Sequence, residues 1–287
     1  MQLVTDTVAD LTPTQLAELD VHFIPLTLTL DGKTYRSGID LNSAEFYSLL
    51  EKKESFATTS QPSAGEFAEL YRRLAAKDPD ILSIHISLGL SGTLNAARAG
   101  ASMAPEANVT FFDSKTLSSP LGWMVQAAAH AIRQNWPLEN IIARLEQMQK
   151  RTQGLFTLKT LKYLIHGGRI SHLKGLIASM LNVKPIIGPE KIHGAYTSFG
   201  QEITLKRALH RIPEILASMF TEGQDLRVQI LHGDNPEGVE VLQEVIAQRF
   251  NCRFDPVCVL SPVLGAHTGP SIVGLGAGDP EVFSGLF

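Results

Sequence analysis

The chain has 287 residues, 44% of them hydrophobic, so it can bury a large core, and this length favours two ordinary domains over one long one. Its formal net charge is −4 and its Lys and Arg residues are scattered, which argues against a nucleic-acid-binding surface built on phosphate neutralisation. No apolar run reaches the roughly 18 to 20 residues of a membrane span, and the N-terminal residues lack the basic and apolar regions of a secretory signal, so we expect a cytoplasmic protein.

The first half of the chain alternates between runs typical of strands and runs typical of helices. Short apolar runs predict strands at 2–5, 22–30, 80–87 and 108–114. Helical periodicity predicts helices at 43–53, 62–76, 91–102, 120–134 and 138–150. Such alternation is typical of a parallel sheet covered by helices, so we assign this part to the α/β class.

The pattern changes near residue 151 and predicts a second α/β unit. Helices are expected at 160–166, 172–182, 202–220 and 236–249, and strands at 184–188, 226–233 and 253–261. We therefore expect an N-terminal domain at 1–150 and a C-terminal domain at 151–287, although no linker composition marks the boundary. The run "GLGAG" at 274–278 is interpreted as a C-terminal turn, because too few residues follow it for the helix and strand of a dinucleotide-binding fingerprint.

The two cysteines, Cys252 and Cys258, have C-x5-C spacing, and no other Cys is present to complete a four-thiolate zinc site. We interpret them as core thiols and expect neither a disulfide framework nor a metal site. A phosphate-binding loop with its Lys is also absent from the sequence, which disfavours a nucleotide-binding module, and no cofactor is expected.

The segment "TTSQPSAGEF" at 58–67 gathers four hydroxyl side chains and a proline before a predicted helix. Pro62 is expected as the first helical residue, with Gln61 or Ser60 at the capping position. The free N–H groups and the positive dipole end of such a helix can hold an anion, with Thr59 and Ser60 as donors. The alternative is that these hydroxyls only cap their own helix.

A second corner of the same kind follows the strand expected at 80–87. In "SLGLSGTLNAA", Gly89 and Gly92 loosen the turn, and Ser91 or Thr93 begins an Ala-rich helix. Junctions of this kind in a parallel sheet lie at the carboxyl ends of the strands, where ligands of open α/β folds bind, so both corners are expected to face one site. Uncharged donors without a Lys suit a carboxylate or an acyl phosphate better than a nucleotide triphosphate.

Two further residues are candidates for the same site. Arg169, in "IHGGRIS", lies between a helix that ends at Gly167 or Gly168 and a new one, where it can bind an anion, cap a helix or simply be solvated. His267 lies in the Gly-rich turn "LGAHTGPS", and a lone histidine is most often structural. Ser91 with His267 would suggest a hydrolase, but "LSGT" differs from the G-x-S-x-G nucleophile elbow.

Taken together, these motifs resemble the DegV family of bacterial fatty-acid-binding proteins. The resemblance covers almost the whole chain, from "VTDTVADL" at 4–11 and "IPLTLTLDGKTYRSGID" through "FFDSKTLS" and "LNVKPII". The most specific signal is the ordered set of "TTSQPS", "GLSGTLNAA", "YLIHGGRIS" and "GAHTGP".

The resemblance implies a parallel-sheet, three-layer N-terminal domain and a mixed-sheet C-terminal domain, with one long-chain fatty acid in a tunnel between them. It implies that Thr59, Ser91 and the amide of Gly92 contact the carboxylate, and that Arg169 and His267 lie near the headgroup. It also implies a binding protein rather than an enzyme. Such a protein presents the carboxylate to a fatty acid kinase and carries the acyl phosphate onward. Transient contact with a membrane is compatible with this role.

The sequence departs from the family pattern at several positions. Position 7 is Thr where Ser is common, and Pro120 stands where Gly is usual. The stretch "YTSFGQEITLKRAL" follows the family's K-x-R-T-rich segment only loosely, which leaves the kinase partnership less supported than lipid binding. The rival function is a stand-alone hydrolase acting on acyl substrates, with Ser91 as nucleophile and His267 as base.

Overall fold

The structure, a computed structural model, describes residues 1–53, 56–171, 173 and 183–286 and combines one parallel sheet, one mixed sheet and one small antiparallel sheet. Its strands are β1 Gln2–Asp6, β2 Val21–Ile24, β3 Thr27–Leu30, β4 Lys33–Arg36, β5 Thr58–Ser60, β6 Asp80–His85, β7 Asn108–Asp113, β8 Thr152–Thr157, β9 Lys184–Pro189, β10 Tyr196–Glu202, β11 Asp225–His232, β12 Asn251–Phe254, β13 Cys258–Val259 and β14 Val273–Gly278. Its helices are α1 Pro13–Leu19, α2 Ser43–Lys53, α3 Ala64–Ala75, α4 Thr93–Ser102, α5 Ser118–Arg133, α6 Leu138–Arg151, α7 Lys162–His166, α8 Leu205–Leu216, α9 Pro236–Ala247 and α10 Pro262–Thr268. The α/β fold class expected from the sequence is confirmed.

The parallel sheet has the strand order β2-β1-β6-β7. Its outer face packs against α3 and α4 through a buried cluster that includes Val4, Phe67 and Ala97. Because side chains alternate across a strand, Leu3 points to the opposite face and belongs to the core between the sheets.

The strand expected at 22–30 is two strands in two different sheets. Pro25 follows β2 and has no N–H to donate, so the parallel ladder ends there. After the break, β3 pairs antiparallel with both β4 and β5 in a three-stranded sheet. Asp31 and Gly32, with φ angles of 50° and 76°, form the tight turn from β3 to β4.

The mixed sheet has the order β10-β9-β8-β14-β11-β12, and β13 also pairs with β11. The interpretation of 274–278 as a C-terminal turn was wrong, because this run lies in β14, between β8 and β11 and antiparallel to both. Its glycines permit close packing: a Cβ atom on Gly274 would lie 2.4 Å from the carbonyl oxygen of Leu155. The antiparallel partners come from distant parts of the chain, so the local pattern did not reveal the strand.

Several helix boundaries also differ from the sequence expectation. Ser63, and not Gln61 or Ser60, caps α3, and its side chain forms a capping box with Glu66. The helix expected at 202–220 begins only at α8, after Thr204 accepts a hydrogen bond from the Arg207 amide, and the residues before it form β10. The helix expected at 172–182 falls almost entirely outside the described residues.

One large apolar core fills the space between the parallel and mixed sheets. It contains Leu82 of β6, Trp123 of α5, Phe156 of β8 and Leu264 of α10, so both halves of the chain contribute to it. A separate cluster on the far side of the mixed sheet packs α8 and α9.

The division into domains at 1–150 and 151–287 stays a prediction, although the first strand of the mixed sheet does begin immediately after α6.

Cys252 and Cys258 are both half-buried free thiols, and burial raises the pKa of Cys252 to about 11.

Among the described residues, no helix combines the length and the apolar composition needed to cross a bilayer.

Replacing Gly274 with Ala should destabilise the protein by about 1 to 3 kcal/mol, because the new methyl group would overlap the backbone of β8 and overpack the sheet. Urea unfolding followed by circular dichroism measures the loss. The matched control is Gly154→Ala in β8, where the nearest atom to the new Cβ is Pro120 Cγ at 3.8 Å. Equal stability of the two variants would contradict the close approach at β14.

Candidate functional site

A cavity of about 290 Å³ lies where β5, the start of α4 and the end of α10 meet. Five of the six residues proposed from the sequence line it: Thr59, Ser60, Ser91, Arg169 and His267. The expected reason for their convergence was wrong in part, because β5 belongs to the small antiparallel sheet and not to the parallel one. The two hydroxyl corners nevertheless face one space.

Thr59 and His267 are joined by a hydrogen bond of 2.7 Å between Oγ1 and Nε2. His267 lies in the last turn of α10, and not in the Gly-rich turn that the sequence suggested. Its Nδ1 atom is buried and has no hydrogen-bond partner. If Nε2 carries the proton, it donates to Thr59, whose own hydroxyl hydrogen is then free to point into the cavity.

The ring of His267 is held neutral by its surroundings. Burial first, and after it the interactions with Arg169 and His166, lower the pKa of His267 to about 3. A Cβ atom on Gly167 would lie 2.0 Å from Nδ1 of the ring, so only glycine permits the imidazole to approach the backbone at the end of α7. His267 therefore acts near pH 7 as an uncharged hydrogen-bonding group.

Ser91 and Gly92 occupy the turn that leads into α4. The hydroxyl of Ser91 is 2.8 Å from that of Thr93, the first residue of the helix. Gly92 is the N-cap and does not line the cavity, but a Cβ atom there would lie 2.3 Å from Oε1 of Gln61. The absence of a side chain at Gly92 thus lets the Gln61 amide fold over the start of α4.

Arg169 is the cationic member of the cavity. Its Nη1 donates to the carbonyl oxygen of Gly167 at 2.7 Å, which agrees with the helix-capping interpretation, while its side chain also lines the cavity. Burial lowers the pKa of Arg169, but a guanidinium stays charged in proteins. Tyr196 of β10 lies beside it and is buried, which raises the pKa of the phenol.

A narrow apolar cavity adjoins the polar one and shares Leu117, Tyr196 and Leu264 with it. It runs between α5, α10 and the mixed sheet, and its other lining residues are Ser118, Pro120, Gly154, Leu155, Phe156, Pro189, Leu231, Leu260, Thr268, Ile272 and Leu275. Its volume of about 30 Å³ is close to that of one water molecule, so the side chains must move apart before a longer molecule can enter.

The geometry does not favour a hydrolase. His267 bonds to Thr59, and the hydroxyl of Ser91 bonds to Thr93, so the serine is not paired with the histidine. A buried Asp6, His85 and Ser83 array does have the order of a catalytic triad, with distances of 2.9 and 2.7 Å. Ser83 and His85 are fully buried in the core, where no substrate can reach the serine.

Sequence reasoning missed several residues of the cavity. Gln61 lies inside the T-S-Q-P motif and was considered only as a helix cap. Tyr196 and Leu117 line both cavities, but no local pattern singled them out. Their roles depend on how β10 and α5 pack against α10, which only the tertiary structure reveals.

Comparison with known proteins gives consistent matches over nearly the full chain. The family model described as an uncharacterised protein of the DegV family matches residues 1–278. A DegV domain-containing protein of Staphylococcus aureus (strain N315) is 33% identical in an alignment 279 residues long, which covers 95% of this chain and 96% of the relative.

Two solved structures are similar in fold and sequence. A DegV family protein from Thermus thermophilus, described by its fatty acid binding, has 30% identity and a TM-score of 0.88, covering 97% of this chain and 99% of that one. DegV from Bacillus subtilis, described as a fatty acid binding protein, has 30% identity and a TM-score of 0.86, covering 97% and 98%.

His267 should remain neutral down to at least pH 5, because protonation would place a charge in a desolvated pocket beside Arg169. Long-range ¹H–¹⁵N NMR of the imidazole, assigned with a His267→Gln variant, measures both the pKa and the tautomer. Because the unfolded ring binds a proton near pH 6.5 and the folded ring does not, His267 should make stability fall as the pH drops from about 6.5 toward 3. A titration midpoint above pH 5 would contradict this prediction.

Proposed function

The chain belongs to the DegV family, and we propose on this basis that it binds one long-chain fatty acid, with the carboxylate in the polar cavity and the tail in the adjoining apolar one. The observation that carries the proposal is the arrangement of the two cavities, which share three residues yet differ sharply in chemistry. One offers hydroxyl and imidazole groups, and the other is lined mainly by apolar residues, with leucine the commonest. A carboxylic acid with a long alkyl chain fits this division.

The headgroup would be held by uncharged donors. An ionised carboxylate only accepts hydrogen bonds, so Thr59 must donate to it, which requires the His267 tautomer with the proton on Nε2. Ser91 supplies a second hydroxyl, and the free amides at the start of α4 supply further donors and a positive dipole end. Hydrogen bonds to a charged acceptor are stronger than those between neutral groups, so few are needed.

The fatty acid binding described for the Thermus thermophilus and Bacillus subtilis relatives supports this assignment. Their similarity covers almost the whole chain, including both sheets between which the tail would lie. We further propose that the chain is a carrier and not a hydrolase built on Ser91 and His267, since Ser91 bonds to Thr93 and His267 bonds to Thr59.

We extend the proposal to a fatty acid kinase that phosphorylates the bound carboxylate. Arg169 lies next to the proposed headgroup position. Its guanidinium would interact more strongly with an acyl phosphate than with the free acid, because the acyl phosphate is more negative. The loose match of residues 196–209 to the family pattern makes this partnership a separate question from lipid binding.

Removing either hydroxyl should weaken fatty acid binding about 10- to 150-fold, since each charge-assisted hydrogen bond contributes about 1.5 to 3 kcal/mol. The variants are Thr59→Val and Ser91→Ala, and the assay is displacement of a fluorescent fatty acid from delipidated protein. Thr58→Val is the matched control, because Thr58 is exposed and lies outside the cavity. Unchanged affinity in the double variant would show that the headgroup binds elsewhere.

Affinity should rise with chain length, by about a factor of four for each additional CH₂ that becomes buried, because burial of one CH₂ is worth about 0.8 kcal/mol. Isothermal titration of saturated acids from C8 to C18 tests this. Fatty alcohols of equal length should gain the same affinity for each added CH₂. They should lose less affinity than the acids do in the Thr59→Val variant. An affinity that does not depend on chain length would exclude the apolar cavity as the tail site.

Loaded protein mixed with a bacterial fatty acid kinase and ATP should yield acyl phosphate, whereas this protein with ATP alone should not. The His267→Ala variant should lower the yield of acyl phosphate more than it lowers affinity for the free acid. Hydroxylamine trapping of the acyl phosphate followed by mass spectrometry provides the measurement. If lipid binds normally and no acyl phosphate forms, the result contradicts the kinase partnership but not the proposal that the protein binds fatty acids.

A further inference from the structure

A cleft of about 900 Å³ lies apart from the two cavities proposed for the fatty acid. It is bounded by α1 and α5 on one side and by β11 and residues 255–259 of the mixed sheet on the other. Its volume and its position between two structural units are typical of sites for small organic molecules. The proposed function makes no use of it.

Asp10 lies at the wall of this cleft. Its Oδ1 accepts a hydrogen bond from the Ser261 amide at 3.1 Å, and its Oδ2 accepts one from the Ser118 hydroxyl. The residue keeps a partly exposed surface toward the cleft, yet burial raises the pKa of its carboxyl to about 6 against the opposing effect of these hydrogen bonds. Near pH 7 the side chain is therefore mostly a carboxylate in a poorly solvated position.

No cation of the described chain neutralises this carboxylate. Arg227, which also lines the cleft, bonds to Asp255 at 2.8 Å and to Gln126 at 3.3 Å. Arg133 donates to the backbone carbonyl of Glu18. A buried charge without a partner is costly, so Asp10 is suited to a cation supplied from outside the chain.

Three residues that line the same cleft, Ser37, Ser119 and Ser261, have a buried hydroxyl oxygen without a hydrogen-bond partner. Ser37 and Ser119 are almost completely buried, at 0% and 3% exposure, and neither hydroxyl oxygen has a hydrogen-bond partner. Buried polar atoms are nearly always paired, so orphaned groups point to a missing partner. An ammonium group, which carries three donors and no acceptor, can satisfy a carboxylate and hydroxyl oxygens together.

We propose that this cleft is a second ligand site, separate from the fatty acid site, and that it takes a small polar molecule whose ammonium group pairs with the Asp10 carboxylate. The remaining titratable groups that face Asp10 do not compete for this role. Burial raises the pKa of Tyr47 in α2 and of Cys258 in β13, so both are neutral near pH 7, and Asp6 bonds to His85.

The test is a titration of ¹⁵N-labelled full-length protein with 4-amino-1-butanol at pH 7.5 and constant ionic strength, with 1,4-butanediol as the uncharged match. The amine should produce saturable shifts at the amides of Leu11 and Ser261, which line the cleft, and the diol should produce none. Asp10→Asn keeps the shape of the side chain and removes its charge, and it should weaken amine binding about tenfold or more. Lowering the pH to 5, where the carboxyl is neutral, should weaken it as well.

The control variant is Asp225→Asn, which removes an exposed carboxylate outside the cleft and should bind the amine as the unaltered protein does. If Asp10→Asn does not fold, Ser37→Ala removes an orphaned hydroxyl while keeping the carboxylate, and it should weaken binding severalfold. The proposal is overturned if 4-amino-1-butanol gives no saturable response, if the diol gives the same response, or if Asp10→Asn binds the amine unchanged. Each outcome is independent of fatty acid affinity.

Discussion

The apolar core shared by the parallel and mixed sheets determines where this protein can hold a ligand. Residues from both halves of the chain fill it, so the sheets cannot separate without exposing a large hydrophobic surface. Polar cavities occur where turns bearing hydroxyl groups interrupt this core. The segment 7–10 and the first turn of α10 form a thin wall between two of them: Val8 and Leu264 face the polar cavity, and Asp10 and Pro262 face the larger cleft.

Under the proposed function, the polar cavity would bind an anion mainly through uncharged groups. Thr59, Ser91 and a neutral His267 provide hydrogen bonds, while Arg169 is partly committed to the carbonyl of Gly167. A site of this kind would hold a carboxylate without a strong ion pair. Such an ion pair would oppose the transfer of the bound acid to another protein. Burial, which keeps His267 neutral, is therefore as important to the chemistry of the site as the identity of the residue.

Much of the fold could be predicted because hydrophobic periodicity is a local property. The parallel strands β1, β6 and β7 and the helix α2 agree closely with their apolar patterns. The clearest failure, in the mixed sheet, comes from pairing between distant segments. The glycine-rich β14 carries almost no strand signal, and it is a strand because β8 and β11 flank it and because glycine lets their side chains and backbone approach.

The sequence by itself determined the family, the α/β class and most of the polar residues that line one cavity, because motifs such as T-S-Q-P, L-S-G-T and H-T-G-P are contiguous and retain their chemistry wherever they lie. Only the tertiary structure decided that Thr59 bonds to His267 across 208 positions of the chain, that an apolar cavity adjoins this pair, and that Asp10 faces a separate cleft in which no arginine pairs with it. Distances, burial and the resulting pKa of His267 and Asp10 arise from packing between remote segments, and no local pattern encodes them.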